Sequence, residues 1–329
     1  MILHVKYVTD PEASPDPIGF LLDALAQPAT IPLLLAGFVV AGLLVLAWAR
    51  WRPLEDARVR FVERAGSYRE YIPWIIRLSA GLVLIGAGLS RVLFEPRIGA
   101  DPPAALLLTA IGFLLLLGFA VRPAALVGLA AYAVSFVSDP QLVMMLDVAG
   151  GLAVAAVLGP GRPSVDDLLR AAFPRGPGAR IGTENLAAGR YDDMVPLLVR
   201  LGLGGAFVAS GIVDKLVIYE QALQAVHRYG LTSVVPVSPE LWVVGTAVVE
   251  TSLGIAVLLG IMTRFSAIVG FTVLTLALFG LPDDPVTAHV ALFGLSSALV
   301  ILGGGRWSLD RALLQPLDTR LAGRSQLPG

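Results

Sequence analysis

The sequence predicts an all-α, polytopic membrane protein with nine transmembrane helices, arranged as one N-terminal helix plus two parallel four-helix bundle repeats. Three observations lead there. Only 15% of the 329 residues are charged and mean hydropathy is +0.78, whereas soluble domains carry about 25% charge, so the apolar surface is too large for one soluble core. Apolar runs approaching the ~20 residues that cross ~30 Å of hydrocarbon recur along the chain. Basic residues collect in alternate connectors, as they do when one face of a bilayer is cytoplasmic.

Several chemistries drop out early. With no cysteine, disulfides, thiol redox chemistry, iron–sulfur clusters and c-type haem attachment are excluded within the chain. Of three histidines only His289 lies in an apolar run, which argues against a haem held by two of them. No Gly-Lys-[Ser/Thr] phosphate loop occurs, so no nucleotide is expected. No metal or flavin site is evident, and no basic patch suggests nucleic acid. Lys6 and Lys215 are the only lysines. The bias to arginine fits a GC-rich prokaryotic genome.

The N-terminal MILHVKYVTDPEASPDP lacks the basic region and small-residue cleavage site of a signal peptide and reads as a retained polar tail. Residues 18–26 are apolar but too short to span and contain Asp23, so they are expected along the membrane surface. The first span is 31–49. Residues 50–70 carry Arg50, Arg52, Arg58, Arg60, Arg64 and Arg69 among four acids, a solvated amphipathic connector. Spans follow at 72–90, 103–121, 123–137 and 141–158. The run from Pro123 is short and must tilt or sit where the bilayer thins. After a second polar connector at 159–193 come spans at 194–213, 241–262, 265–281 and 286–302. The segments are therefore 1–67 (tail, first span, connector), 68–170 (first repeat), 171–190 (linker), 191–313 (second repeat) and 314–329 (tail).

Orientation follows from charge. With the N-terminus outside and the C-terminus cytoplasmic, nineteen of the 24 basic residues fall on the inner face. Lys6, Arg91, Arg97, Lys215 and Arg228 are the exceptions. Arg77 and Arg200 lie about a turn inside their spans and are expected to snorkel back. Trp48, Trp51, Trp74, Trp242 and Trp307 all fall at predicted helix ends, where an amphipathic ring prefers the interface.

The chain contains one unit twice. Tyr68, Pro73, Arg77, Leu78, Gly81 and Gly88 recur as Tyr191, Pro196, Arg200, Leu201, Gly204 and Gly211. Gly112, Gly118, Arg122 and Gly128 recur as Gly254, Gly260, Arg264 and Gly270. GPGRPSVDDLL from Gly159 matches GGGRWSLDRALL from Gly303 in register. Four spans per unit start and end both copies on the same side, so the repeats are parallel, unlike the inverted pairs of many transporters.

RLGLGGAFVASGIVDKL, then an acid within VVETSLGIAVLLGIMTR, then GGGRWSLDRAL resembles the DoxX family of small prokaryotic membrane proteins. The resemblance is clear over 191–313 and weaker over 68–170. It implies a four-helix unit and, in some members, association with oxidoreductases, including thiosulfate:quinone oxidoreductase and terminal quinol oxidase complexes. The first copy departs from the pattern at two positions: Leu108 aligns with Glu250, and Val92 with Lys215. A polar site therefore belongs to the second copy.

Glu250 sits about ten residues, or about 15 Å, into its helix, near the bilayer centre. An ionisable residue there is a functional candidate. It reads as a proton acceptor or a partner for a quinone-like headgroup, set against a buried structural hydrogen bond to Thr251 or Ser252. Lys215, beside Asp214, could reach inward to Glu250, although snorkelling to the headgroups while paired with Asp214 is the commoner behaviour. Asp214, Lys215, Glu250 and Thr251 are the candidate ligand-binding set. His289, about a turn into the last span, could relay protons to Glu250. Helix rise separates their depths by about 9 Å, so contact needs tilt or a water. Arg77, Arg122, Arg200 and Arg264 are expected to be structural anchors at helix ends. Asp147 is a lone polar group of the first copy. The loop from Val217 to Ser238 begins with IYEQALQAVHRYG, which reads as an amphipathic lid or docking surface.

The expected function is a prokaryotic cell-membrane subunit of an electron-transfer or sulfur-oxidising system. Its second bundle would bind a quinone or similar apolar ligand from the outer leaflet, and its partners would be lipids and a membrane-associated redox protein. A scaffold without turnover and a proton-coupled carrier are the alternatives.

Overall fold

Without water, a helix must satisfy its backbone internally and end where carbonyls can be capped. The elements follow that rule. The computed structural model describes residues 14–50, 55–173 and 188–311. The readings at residues 1–13, Trp51, Arg52, most of the 171–190 linker and the C-terminal tail lie outside the described residues, as does the side chain of Trp48.

In chain order the helices are α1 (Pro17–Ala26), α2 (Thr30–Arg50), α3 (Glu55–Gly66) and α4 (Ile72–Leu89). A short hairpin follows, β1 (Val92–Leu93) and β2 (Glu95–Gly99). Then come α5 (Pro102–Leu117), α6 (Val121–Ser138), α7 (Leu146–Leu158, led in by a 3₁₀ turn), α8 (Val165–Ala172) and α9 (Ala188–Ala209). The chain continues as a π-helix (Ser210–Val217), α10 (Tyr219–Arg228), α11 (Pro239–Leu259), α12 (Thr263–Gly280) and α13 (Val286–Leu302). This is a multi-pass helical membrane protein.

Among the described residues six helices are long and apolar enough to cross a bilayer, and α1 with α2 forms a further pair bent by 82°. The helices α5 and α13 are shorter apolar elements. The sequence reading of nine spans drew α5 longer than it is. Gly118 (φ +70°) and Ala120 (φ +48°) turn left-handed there, which ends α5 and starts α6 at Val121. A glycine in this conformation stops a helix without a Cβ clash. In consequence α6 has 18 residues and is not the short span expected.

Two quartets assemble side by side. Helices α4 to α7 pack among themselves, as do α9, α11, α12 and α13, and α7 lies on α9 while α13 lies on α4. One apolar core runs through both quartets, from Ile76 and Leu152 to Leu203 and Leu299. In lipid, apolar contact gives little drive to associate, so close backbone approach matters. A Cβ on Gly204 would stand 2.8 Å from the Gly254 carbonyl oxygen, and one on Gly254 2.7 Å from that of Gly204. Gly81 and Gly112 meet with the same two distances. Between quartets, a Cβ on Gly150 would stand 2.6 Å from the Cα of Gly202, while Gly294 lies against Ser79. The residues that recur in the sequence thus meet like neighbours in each half.

Arg77 and Arg200, expected to snorkel, do not. Both are buried, because helix-end carbonyls offer nearer acceptors than lipid phosphates. Arg200 donates through Nε to Val257 O (3.0 Å), through Nη1 to Gly304 O (3.1 Å) and Trp307 O (2.9 Å), and through Nη2 to Leu258 O. Arg77 donates to Leu115 O at 3.4 Å and Pro163 O at 2.6 Å. Arg264 covers the end of α13 through Val300 O, Ile301 O and Leu302 O, at 3.0 to 3.3 Å. Arg122 lies beside Gly159 as Arg264 lies beside Gly303. Asp310 accepts from Met262 N and Thr263 N, at 2.6 and 2.7 Å, and Asp166 accepts from Ala120 N at 3.1 Å. These carboxylates serve helix starts, which explains why the two matching segments each keep an acid there.

Gly254→Val is expected to lower stability by about 1–3 kcal/mol, since the new side chain must push α9 and α11 apart. Gly245→Ala, in the same helix and with open space around it, is expected to be neutral or to stabilise by up to about 1 kcal/mol. Unfolding midpoints of the two variants in detergent check this.

Candidate functional site

At Ala209 the α-helix gives way to eight residues of π-helix. Each i→i+5 turn takes an extra residue, so side chains beyond it leave the register of α9. Ser210, Gly211, Asp214 and Lys215 are all buried here. Lys215 is fully buried, not snorkelling. Its Nζ lies 3.1 Å from Glu250 Oε2, 3.6 Å from Asp214 Oδ2 and donates to Ser210 Oγ at 2.9 Å. Glu250, in the middle of α11, is also fully buried.

The energetics of this pair are informative. At an effective dielectric near 20, an ammonium and a carboxylate about 3 Å apart attract by about 5 kcal/mol. Removing both from water costs several kcal/mol per ion. The terms offset, so net stability is a poor reason for the pair to exist. The first quartet dispenses with it, having Val92 and Leu108 at the aligned positions.

Sequence reasoning missed Arg97 and Glu95. Arg97 comes from the hairpin of the first quartet, and its Nη2 donates to Asp214 Oδ1 at 3.4 Å. Its Nε lies 3.3 Å from Glu95 Oε1. The Arg97–Asp214 contact joins residues 117 positions apart, a separation no local pattern reports. The hairpin itself replaces what would be a π-helix and lid in the other half.

Thr251 is half-buried and its hydroxyl lies against Gly211, as that of Thr109 lies against Gly88. That contact exists in both halves and belongs to helix packing. His289 is fully buried, with Nε2 3.3 Å from Asp284 Oδ2 and Nδ1 3.3 Å from Pro285 O. Its carboxylate partner, Asp284, lies in the turn just before α13. Asp147 is buried in the first turn of α7.

Above this end of the second quartet lies α10, whose buried face (Tyr219, Ala222, Ala225, Val226) packs with Val243 and Val244 of α11. Two contacts hold its ends. The Tyr219 ring stacks on Phe20 of α1 at 4.2 Å. At the other end Arg228 Nη2 and the Tyr229 hydroxyl donate to Asp283 Oδ2, at 3.1 and 3.0 Å. Burial, with the Asp283 bond next, pushes the Tyr229 phenol above its ordinary range. The helix α1, expected along the surface, is anchored here too: Gln27 donates to Glu240 at 3.2 Å and accepts from Ser238 at 2.6 Å.

Residues 195–303, which hold Asp214, Lys215, Glu250 and His289, match the DoxX family model. This segment is similar to a DoxX domain. No curated protein and no solved structure matches the chain. Arg97 and Glu95 lie outside the matched segment, so its polar centre is completed from the other half of the molecule. Among the described residues no group of three or more histidines and acids could hold a metal ion.

Lys215→Met leaves Glu250 buried without its ammonium and is expected to destabilise by about 3–5 kcal/mol. Lys215→Met combined with Glu250→Leu removes both charges and is expected to restore most of that loss. Thermal unfolding of the two variants in the same detergent checks the difference.

Proposed function

We propose that this chain is the membrane subunit of a quinone-linked oxidoreductase system, and that its DoxX domain presents the Lys215–Glu250 pair to the headgroup of a quinone. The observation that carries the reading is the buried ion pair. It contributes little net stability, and the first quartet folds without it. A residue pair retained under those conditions is better accounted for by a ligand than by folding.

The chemistry suits a quinone. The Lys215 ammonium is a donor for a quinone carbonyl oxygen, and the Glu250 carboxylate is an acceptor for a quinol hydroxyl proton. An apolar tail suits a site walled by membrane helices. In this reading electrons pass between the quinone and a membrane-associated partner protein. With the N-terminus outside, α10 covers the site on the outer-leaflet side, and α1 and α10 form the entrance. The two quartets are read as tandem copies of one unit, of which the second kept the polar centre.

The experiment is a titration of the purified protein in detergent with a short-chain benzoquinone or naphthoquinone. Binding in the micromolar range is expected, with Glu250→Gln weakening it about tenfold, equivalent to about 1.4 kcal/mol. Equal affinity in the wild type and in the Lys215→Met/Glu250→Leu double variant overturns the reading in favour of a scaffold.

A further inference from the structure

The hairpin β1–β2 belongs to the first quartet, yet its arginine serves the second. Two features show that this reach is fixed by the fold. Arg91 (φ +54°) and Phe94 (φ +64°) adopt left-handed backbone conformations that side chains other than glycine rarely take. Such conformations persist where the surroundings over-determine them, and they cluster at functional sites. Here Phe94 is buried and meets the Tyr132 ring edge-on at 5.5 Å, while the Tyr132 hydroxyl donates to Leu142 O at 2.7 Å. Beyond the turn, Glu95 is fully buried and holds Arg97 twice, accepting from its backbone N at 2.9 Å and lying 3.3 Å from its Nε. That grip aims the guanidinium at Asp214.

The result is a line of alternating charge across the two halves: Glu95, Arg97, Asp214, Lys215, Glu250. We propose that Arg97 is a positioning residue of the Lys215–Glu250 centre. By engaging Asp214, it keeps Lys215 committed to Glu250 and sets how many protons the centre holds. Asp214 and Glu250 both face the same ammonium, at 3.6 and 3.1 Å. Without the guanidinium, Asp214 competes for Lys215 and the buried cluster becomes more negative by one charge. In a poorly solvated site the cluster then takes up a proton. The proposal rests on the quinone reading only for the identity of the ligand; the proton content of the centre is measurable without quinone.

The test is infrared difference spectroscopy of the full chain in detergent, without quinone, at neutral pH. Arg97→Gln is expected to gain the carbonyl-stretch band of about one further protonated carboxyl over the wild type. Arg97→Lys, which keeps the charge, is expected to match the wild type, and so is Arg97→Gln/Asp214→Asn, which removes both members of the contact. Asp147 and Asp284, buried elsewhere, contribute alike to every variant and cancel. Superimposable spectra for wild type and Arg97→Gln overturn the proposal, as does a gain in Arg97→Lys equal to that in Arg97→Gln. If Arg97→Gln alone does not fold, the double variant decides. Recovery of folding with a wild-type spectrum supports the proposal, and no recovery overturns it. A protein that binds no quinone yet shows these bands refutes the ligand reading alone.

Discussion

Close backbone approach is the constraint on which the structure depends. Lipid removes the hydrophobic incentive for helices to associate, so packing, hydrogen bonds and dispersion must hold them. Glycine pairs supply the approach: Gly81 with Gly112, Gly204 with Gly254, and Gly150 with Gly202 between the halves. At the opposite end from the polar centre, buried arginines close the helix ends by donating to carbonyls that lipid cannot satisfy. The polar centre sits inside this frame. A frame that tight lets an ammonium and two carboxylates face one another at fixed distances, because the helices carrying them cannot slide apart to admit water.

Hydropathy was enough to place most of the apolar helices, because the length and composition that cross a bilayer are properties of local windows. Glu250 was legible for the same reason: one acid in an apolar helix is conspicuous. Lys215 was harder. Its place near a helix end suggested snorkelling, and only the π-helix explains why it is buried, a change of winding that leaves no mark on mean hydropathy. Arg97 was counted merely as an outer-face charge, and its partner lies in the other half of the chain. The end of α5 at Gly118 was present as a repeated glycine, but the following residues are apolar and concealed the stop.

Residues that match between the two halves do the same work in each. Thr109 and Thr251 make one contact with a facing glycine, and Arg77 and Arg200 perform one anchoring task. Where the halves diverge, chemistry collects. One has a strained hairpin and aliphatic residues, the other a π-helix, a roofing helix and an ion pair. A pattern kept on both sides therefore speaks for architecture, and a difference between sides speaks for activity.

Joining both quartets in one polypeptide has a further effect. If a separate chain carried each quartet and two copies met across the same faces, a guanidinium donated by one copy would have to be donated by the other as well, and every acid would appear in duplicate around the axis. A continuous chain escapes that obligation. It can have a giver and a receiver, build one centre where symmetry would demand two, and let mutation adjust either side without touching its twin.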